Sequence, residues 1–470
     1  MSQKTIRKSL YQGKKVLIIG AARQGIALAR FMAENGASVI LNDKQPPERL
    51  IPAQQALADL PIDWMLGSHP LELLDGVDMV CVSGGVPLTL PIVKVAFERK
   101  IPVTNDTQIF MEHVNAKVVG ITGSAGKTTT TTLVGRIAQA ACDNNRSTRP
   151  YQKVWVGGNI GTPLINEIDN IHEDDLVILE LSSFQLEIMH VSPSIAAILN
   201  ITPNHLDRHE TMEAYVAAKA HIIQYQGIED KAILNREDPG SWGLKPNIRG
   251  KLYTFGKSAQ YELSGTYLLD NSIAFWNGEQ ETPLLPLQEI GLRGEHNLMN
   301  VLAACTIAIA ADLPAWACRV GVSGFKGVAH RLEFVRTWHG ADWYNDSIAT
   351  APERSMAAIR SFEEPIVLLL GGRDKNLPWL DFAQLAVKRC RYFVLFGEAA
   401  PKIEQALREV DSLENPPITV CEKLEDAVQV AAKIVQEGDV VLLSPGCTSF
   451  DEFRDFEERG ECFRKWVLNL

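Results

Sequence analysis

The sequence predicts an α/β protein of three domains. Apolar runs of strand length, each followed by a polar or glycine-containing turn and then a helical pattern, recur along the chain, as they do where helices cover a parallel sheet. The length of 470 residues exceeds one compact core, and about 150 residues per domain gives three. We place the domains at residues 1–112, 113–327 and 328–470, since a new strand begins after Phe110-Met-Glu-His and the pattern restarts near His330-Arg331.

Composition favours a soluble intracellular protein. Hydrophobic residues make up 46% and charged residues 22% of the chain, as in typical globular proteins, and a net charge of −11 offers no basic surface for nucleic acid. The eight cysteines include no C-x-x-C pair, which fits reduced thiols in the cytoplasm. The N-terminus MSQKTIRKSLYQGKK lacks an apolar core, and the longest membrane-like stretch, Val301 to Ala311, is too short to span a bilayer. We therefore expect a cytoplasmic protein with no membrane or nucleic-acid partner, and a monomer.

The first domain opens with a strand, turn, helix and strand between Lys14 and Asp43, which predicts a Rossmann-like unit. Its turn, Gly20-Ala-Ala-Arg-Gln-Gly25, lacks the middle glycine of G-x-G-x-x-G. Asp43 ends the second strand as a ribose-binding acid does, but the missing glycine weakens an NAD-dependent dehydrogenase interpretation. A second glycine turn, Ser83 to Pro87, follows another apolar strand and indicates either a ligand site or a plain chain reversal.

The second domain begins with a phosphate-binding pattern. In Lys117 to Thr132, KVVGITGSAGKTTTTT, an apolar strand leads into a turn closed by Lys127 and Thr128. Gly123 and Gly126 allow backbone N–H groups to point at one anion, while the lysine adds charge and the threonine a hydroxyl suited to Mg²⁺. The pattern is the short G-x-x-G-K-T, since the first glycine of the longer form is absent. It predicts nucleotide binding, with an ordinary glycine turn as the alternative.

Polar residues follow further apolar strands of this domain. Glu180 ends LVILE, where a carboxylate beside a phosphate loop suits Mg²⁺, although a strand-end acid can simply face water. His205 lies in the turn after IAAILNIT, and Lys219 lies in the next helix, where a lone lysine is usually solvated. Short strands are expected between Tyr253 and Asn277.

The third domain shows four strand–turn–helix units in a row, which predict a parallel sheet with covering helices. Its polar turns, Asn345 to Ser347, Gly371 to Lys375 and Ser444 to Ser449, follow strands. Ligands bind at that edge of parallel sheets.

Several spaced motifs together resemble the Mur ligase family over essentially the whole chain. They are GITGSAGKTTT, VGGNIGTPL, ELSSFQLE, LNITPNHLDRH with YVAAKAHI, GEHNLMN, HRLEFV, NDSIATAPE, LLLGGRDK and LLSPGCTSFDEFRDFEERG. The last one looks like the D-glutamate-adding members of the family.

This resemblance implies a Rossmann-like N-terminal domain, a central P-loop-type ATP-binding domain and a Rossmann-like C-terminal domain. It also implies a reaction: ATP phosphorylates the carboxylate of a UDP-N-acetylmuramoyl-alanine precursor, and the amine of D-glutamate then attacks the acyl phosphate. ATP and Mg²⁺, the latter at two sites, are the implied cofactors. A carbamate on Lys219 would convert a cation into an oxygen ligand for the second metal ion.

The resemblance also assigns roles to individual positions. The implied catalytic residues are Lys127, His205 and Lys219. The implied ATP contacts are Gly123, Ser124, Ala125, Gly126, Lys127, Thr128, Thr129, Asn297, Asn300, Arg331 and Asp346. The implied metal ligands are Thr128, Glu180, His205 and carbamylated Lys219. The UDP precursor is assigned to Arg23, Gln24, Asp43, Lys44, Gly85 and Asn159, and D-glutamate to Lys375, Ser449 and Phe456.

Two alternatives stay open beside this reading. Another Mur-type or folylpolyglutamate-type ligase would share the central domain but use a different amino acid. A nucleotide-dependent switch would hydrolyse ATP only to move domains, but it would not need metal ligands beyond the phosphate loop or the lysine and serine of the last domain.

Overall fold

The computed structural model describes residues 3–143, 149–159, 161, 163–410 and 416–470. The chain divides into two compact units. The first contains residues 1–290 and 296–324, and the second contains residues 291–295 and 325–470. Among the helices of the described ranges, none is both long and apolar enough to cross a membrane.

The first sheet of the first unit is entirely parallel, with the strand order β3-β2-β1-β4-β5. Its strands are β1 (Lys15–Ile19), β2 (Ser38–Asp43), β3 (Ile62–Leu66), β4 (Met79–Val82) and β5 (Val103–Thr104), and the helices are α1 (Gln3–Tyr11), α2 (Arg23–Glu34), α3 (Ile51–Ala56), α4 (Pro91–Glu98) and α5 (Asp106–His113). The order reverses between β1 and β4, which is where such sheets bind ligands. The predicted Rossmann-like topology is present.

The second sheet has nine strands in the order β14-β13-β12-β11-β10-β9-β6-β8-β7. Its strands are β6 (Lys117–Thr122), β7 (Val154–Gly158), β8 (Leu176–Glu180), β9 (Ile195–Ile198), β10 (Lys231–Asn235), β11 (Lys251–Phe255), β12 (Gly265–Leu269), β13 (Ser272–Trp276) and β14 (Glu281–Pro286). Its helices are α6 (Lys127–Asp143), α7 (Ser183–Leu186), α8 (Leu206–His209), α9 (Met212–Gln224), α10 (Pro239–Trp242), α11 (Glu295–Ala310) and α12 (Ala315–Val322). Neighbouring strands pair in parallel along the part of the sheet with the order β12-β11-β10-β9-β6-β8-β7. At the other edge, β12, β13 and β14 pair antiparallel.

Polar side chains tie helix α7 of the second sheet to helix α5 of the first. Asn105 Nδ2 donates to the carbonyl of Gln185 at 2.8 Å, and Gln185 Nε2 donates to Thr107 Oγ1 at 2.8 Å. The backbone N–H of His190 donates to Gln108 Oε1 at 2.8 Å. Because Asn105 and Gln185 are almost fully buried, their partners lie in a region that water does not reach, and breaking these bonds would be costly.

The third sheet, in the second unit, has the order β15-β16-β20-β17-β18-β19. Its strands are β15 (Glu333–Trp338), β16 (Ala341–Asn345), β17 (Ile366–Gly371), β18 (Cys390–Phe396), β19 (Ile418–Val420) and β20 (Val440–Gly446), and the helices are α13 (Pro352–Ile359), α14 (Leu380–Arg389), α15 (Ala400–Arg408), α16 (Leu424–Ile434) and α17 (Phe456–Leu468). Along β17, Val367 and Leu369 enter one core while Leu368 and Leu370 enter another. The sheet is therefore covered on both faces, as its continuous apolar strands require.

One part of the third-domain prediction is wrong. Four parallel strand–turn–helix units were predicted, whereas the described residues form five parallel strands, β16 to β20. An additional strand, β15, pairs with β16 in the antiparallel direction. The two strands are joined by His339 and Gly340, which both have positive φ, 49° and 73°. This is the backbone geometry of a two-residue hairpin turn, and it separates β15 from β16.

The second unit also holds a short segment that comes from the middle of the chain. Residues 291–295 belong to it, although residues 296–324 return to the first unit. Arg293 forms ion pairs with Asp342 at 3.2 Å and with Glu364, and its guanidinium lies 5.5 Å from the ring centre of Tyr344.

Candidate active site

The phosphate-type loop joins strand β6 to helix α6, as the sequence predicts. Gly126 has φ of 82°, and a Cβ there would lie 2.2 Å from Asn300 Oδ1, so only glycine fits. Lys127 begins α6, and its Nζ donates to the carbonyl of Gly123 at 2.8 Å. Thr128 and the buried Thr129 follow in the first turn. The loop, its lysine and the helix N-terminus thus face the same carboxyl edge of the sheet, which suits an anionic phosphate.

The loop is held by Asn200, to which the sequence motifs assign no role. Its Oδ1 accepts from the Ala125 N–H at 2.8 Å, and its Nδ2 donates to the Ala125 carbonyl at 3.1 Å. The Ser124 N–H donates to the Asn200 carbonyl at 2.9 Å, and Ser124 Oγ lies 3.0 Å from the hydroxyl of Tyr215. Asn200 lies two residues beyond the end of β9, so its position as a polar residue near a strand end was the available signal.

Lys219 is buried against this loop, so the alternative of a solvated lysine is wrong. Its Nζ donates to the Gly123 carbonyl at 3.0 Å and to Thr122 Oγ1 at 3.3 Å, and its side chain is 1% exposed. Burial, and then the positive charge of Lys127, lowers the pKa of Lys219 well below its ordinary value. Such a shift favours the neutral, nucleophilic form of the amine.

Glu180 ends β8 and is 2% exposed. Its Oε1 accepts from Asn159 Nδ2 at 3.1 Å, and its carbonyl accepts from the Asn159 N–H at 2.8 Å. Its Oε2 is buried and has no hydrogen-bond partner among the residues that the structure describes, although a buried carboxylate oxygen needs one. An orphaned anionic oxygen beside a phosphate-type loop suits a hard cation such as Mg²⁺. Across the described ranges, no three His, Cys, Asp or Glu side chains form a metal-binding group, so a metal ion here would need hydroxyl, substrate or modified-lysine oxygens as well.

His205 lies after β9 with φ of 53°, a left-handed conformation that is uncommon for a non-glycine residue. Its ring meets Phe184 edge-on at 5.1 Å between centres. The guanidinium of Arg208 lies 4.3 Å from the centre of the Phe184 ring, and Arg208 donates to the Gly85 carbonyl at 3.2 Å. The His205 turn is therefore linked to the second glycine turn of the first domain.

Both glycine turns of the first domain meet at the β1–β4 switch point. A Cβ on Gly25 would lie 1.8 Å from the Gly20 carbonyl oxygen, which also accepts from Ser83 Oγ at 3.0 Å. The Asp43 carboxylate accepts from the Ala21 N–H at 2.8 Å, so this acid stabilises the turn.

The other UDP candidates lie around these turns. Arg23 NH2 donates to the Asn159 carbonyl at 3.5 Å, whereas Gln24 lies against Gly84. Lys44 is exposed just after β2. The structure thus gathers Arg23, Gln24, Asp43 and Gly85 at one edge.

The two asparagines assigned to ATP begin helix α11. Asn300 is buried, its Oδ1 accepts from Thr130 Oγ1 at 3.4 Å, and its Nδ2 donates to Asn297 Oδ1 at 3.2 Å. Asn300 thus lies behind Gly126, at the base of the loop.

In the second unit, Asp346 is buried after β16. Its carboxylate accepts from Ser444 Oγ at 2.8 Å and from the Leu332 N–H at 3.2 Å. Burial raises its pKa to about 7, although these hydrogen bonds and the charges of Arg331 and Arg354 oppose the shift.

The residues assigned to D-glutamate lie on neighbouring turns of the third sheet. Backbone bonds join Arg373 to Thr448 at 2.9 and 3.0 Å, which brings the turn of Lys375 beside that of the buried Ser449. Lys375 Nζ donates to Thr350 Oγ1 at 3.4 Å.

Phe456 begins α17. Its carbonyl accepts from Ser347 Oγ at 2.8 Å. Arg459, one turn further along α17, was not assigned from the sequence. It is fully buried and donates to the carbonyls of Ser347 and Cys447 at 2.8 and 3.1 Å, and burial lowers its pKa to about 10. Its spacing from the apolar Phe463 and Val467 was the only sequence signal that it faces the core.

Comparisons with known proteins decide the family. A MurD-like N-terminal domain model of Mur ligases matches residues 14–105, the Mur ligase middle domain matches 121–308, and the Mur ligase glutamate ligase domain matches 330–447. The UDP-N-acetylmuramoylalanine--D-glutamate ligase of Pelotomaculum thermopropionicum is 40% identical over 97% of this chain and 98% of its own. The ligase of the same name from Symbiobacterium thermophilum is 39% identical with the same coverage.

The chain belongs to the Mur ligase family.

Solved structures of Mur ligases share the fold of this chain. UDP-N-acetylmuramate-alanine ligase from Thermotoga maritima aligns with a TM-score of 0.57 at 19% identity, covering 97% of this chain and 99% of its own. The MurF ligase of the same organism, in complex with ADP, aligns with a TM-score of 0.55 at 18% identity, covering 98% and 97%. The family resemblance, the three-domain α/β fold class and the ligase class of enzyme predicted from the motifs are confirmed.

Proposed function

We propose that this Mur ligase uses ATP to join D-glutamate to UDP-N-acetylmuramoyl-L-alanine, a step in making a peptidoglycan precursor. The observation that carries the proposal is the near-full-length identity of about 40% to ligases of that name. We propose the division of labour that goes with it: residues 1–112 bind the UDP precursor, 113–327 bind ATP, and 328–470 bind D-glutamate. We also propose a cytoplasmic monomer.

The reaction needs an activated carboxylate, because a free carboxylate is a poor electrophile. An oxygen of the precursor's alanine carboxylate attacks the γ-phosphorus of ATP, and ADP leaves. The neutral amine of D-glutamate then attacks the acyl carbon, inorganic phosphate leaves, and the amine gives up a proton. Both steps gather negative charge, so positioning and charge neutralisation carry most of the acceleration.

Lys127 is proposed to stabilise the transferred phosphoryl group. Its Nζ lies against the loop carbonyl of Gly123, from where a rotation of the side chain would bring the ammonium to a phosphate oxygen. The backbone of Gly123 to Thr129 would surround the phosphates, Asn297 and Asn300 would lie beside the adenine, and Arg331 and Asp346 would contact the nucleotide.

The metal ligands are proposed to be Thr128, Glu180, His205 and a carbamate on Lys219. Bound Mg²⁺ would neutralise the phosphates and polarise the phosphorus toward attack. The orphaned Oε2 of Glu180 supports the first site. The lowered pKa of buried Lys219 supports the modification, because only a neutral amine adds to CO₂, forming a carbamate and releasing a proton.

The first domain is proposed to hold the uridine diphosphate through Arg23, Gln24, Asp43, Lys44 and Gly85. Asn159 would then meet the precursor where the Arg23 contact now joins the two sheets. Lys375, Ser449 and Phe456 are proposed to receive D-glutamate, since lysine and hydroxyl groups suit carboxylates.

Phosphate release tests the proposal. Enzyme, ATP, Mg²⁺ and UDP-N-acetylmuramoyl-L-alanine are mixed with one amino acid at a time: D-glutamate, L-glutamate, glycine or lysine. We expect release to depend on D-glutamate. Preference for another amino acid would favour another Mur-type or folylpolyglutamate-type ligase, and release that ignores the amino acid would favour a nucleotide-driven switch.

The variant Lys127→Ala tests the phosphate role and is expected to abolish turnover. Lys117→Ala is the matched control. It removes the same charge from the opposite end of β6, where Lys117 pairs with Asp312 at 2.9 Å, and it should retain turnover. Retained turnover in Lys127→Ala would contradict the assignment.

A further inference from the structure

The second unit carries two neighbouring cations that have no carboxylate partner. Arg354 lies in the first turn of α13, and its NH1 donates to the Ile348 carbonyl at 3.4 Å. Lys375 has only the Thr350 hydroxyl at 3.4 Å. Within the described part of the chain, neither side chain forms an ion pair.

Two other cations at the same edge are paired. Arg373 binds Glu398 at 2.9 Å, and Lys402 binds Asp374. The surface is therefore not simply short of carboxylates.

The position of Arg354 is also locally unfavourable. A cation in the first turn of a helix faces the positive end of the helix dipole, and no side chain caps α13 at Ala351. Burial, followed by the charge of Arg354, lowers the pKa of Lys375, so the two charges oppose each other. A residue that breaks local rules without a structural gain marks a functional position.

The nearby carboxylate does not neutralise the pair. Asp346 is buried with its oxygens bonded to Ser444 and Leu332, and its pKa of about 7 leaves it partly protonated near neutral pH. Arg354 and Lys375 therefore form a place for an added anion, with Arg354 held by the Ile348 carbonyl and Lys375 by the Thr350 hydroxyl.

We infer that Arg354 is a substrate-binding residue that, together with Lys375, holds one carboxylate of the incoming amino acid. The inference rests on the proposed function, which supplies a dicarboxylic amino acid to this edge. Two cations flanking one carboxylate give charge-assisted hydrogen bonds, and a guanidinium can bind both of its oxygens. The amino acid's other carboxylate is left for Ser449 and Phe456.

Steady-state kinetics with all three substrates tests the role of Arg354. Arg354→Leu and Arg354→Gln should raise KM for D-glutamate by about 10- to 100-fold, the usual effect of losing a charged hydrogen bond. KM for ATP and for the UDP precursor should stay within about twofold, and kcat within about threefold. Arg354→Lys should recover most of the D-glutamate affinity, since it keeps the charge.

Arg360→Leu is the matched control, because it removes the same charge from the C-terminal end of the same helix. Its KM for D-glutamate should not change by more than about twofold. Because Arg354 is exposed and opposes the helix dipole, its replacement should leave the melting temperature unchanged or slightly higher, so unfolding cannot account for the loss.

Three results would overturn the inference: an unchanged KM for D-glutamate, an equal rise in all three KM values, or a fall in kcat with an unchanged KM for D-glutamate. The last would indicate a contact with the phosphoryl group instead. Wild-type enzyme that does not use D-glutamate would refute the proposed function, so the two failures are distinguishable.

Discussion

The buried carboxylate of Asp346 should destabilise the second unit at neutral and alkaline pH. Burial raises its pKa from 3.8 to about 7. Between these two pH values the carboxyl is therefore protonated in the native state and ionised in the unfolded state. At pH 5 the unfolded carboxyl is ionised while the native one is protonated, which costs about 2 kcal/mol. At pH 8 both are ionised, and the cost reaches its full value of about 4 kcal/mol. Stability due to this group therefore falls as pH rises from about 4 to above 7.

The substitution Asp346→Asn removes the ionisation and keeps the shape. The amide oxygen can still accept from the Leu332 N–H, and the Ser444 hydroxyl can rotate to accept from the amide nitrogen. We expect the variant to be more stable than wild type, with an advantage that grows by roughly 2 to 3 kcal/mol between pH 5 and pH 8. For a unit of this size that is roughly 5 to 10 °C in the calorimetric transition of the second unit.

Asp374→Asn gives a control of opposite sign. Burial opposes the shift, but hydrogen bonds from Lys402 and Trp379 lower the pKa of Asp374 below its usual value, so its ionised form stabilises the native state. That variant should be less stable than wild type at pH 8. The reasoning would be refuted if the stability difference between Asp346→Asn and wild type did not change with pH, or became smaller as pH rises. Either result would mean that the pKa of Asp346 is not raised in the native state.

Two further outcomes are expected in the first unit. Lys219→Ala should lose turnover, and a short carboxylate such as formate or acetate should partly restore it by replacing the carbamate oxygens; failure of both acids to restore activity would count against the modification. Gly25→Ala should raise KM for the UDP precursor at least tenfold, because the new Cβ would lie 1.8 Å from the Gly20 carbonyl and the turn must open. KM for ATP is the internal reference, and a variant that keeps its precursor KM would show that the turn does not bind the uridine diphosphate.

The order of elements and the glycine turns could be predicted because their signals are local. An apolar run that ends in Glu180 or leads into Gly123 defines a strand and its carboxyl end without any knowledge of the partner strands. The turn at Gly25 was visible for the same reason. Such features account for the fold class and for most positions of the candidate site.

Features that depend on distant residues could not be predicted. Lys219 sits on a helix that looks ordinary, and its burial follows from the packing of α9 against β6, about 100 residues earlier. Arg354 stands out because it has no ion partner among the residues that the structure describes, and only the folded chain shows this. The hairpin of β15 and β16 could not be predicted because its turn, His339-Gly340, has only two residues, and the antiparallel pairing depends on backbone angles that the folded chain shows.

Because residues 291–295 belong to the second unit, the chain cannot be divided into its domains by a single cut. A single cut near residue 328 would separate the glutamate ligase domain from Arg293, leaving Asp342 and Glu364 without the cation that now pairs with both. A single recombination event therefore cannot transfer the domain together with its ion pairs to Arg293. We expect chimeras of related ligases to fold more often when the donor of this domain also supplies residues 291–295. Their design therefore needs two further junctions, on either side of those five residues.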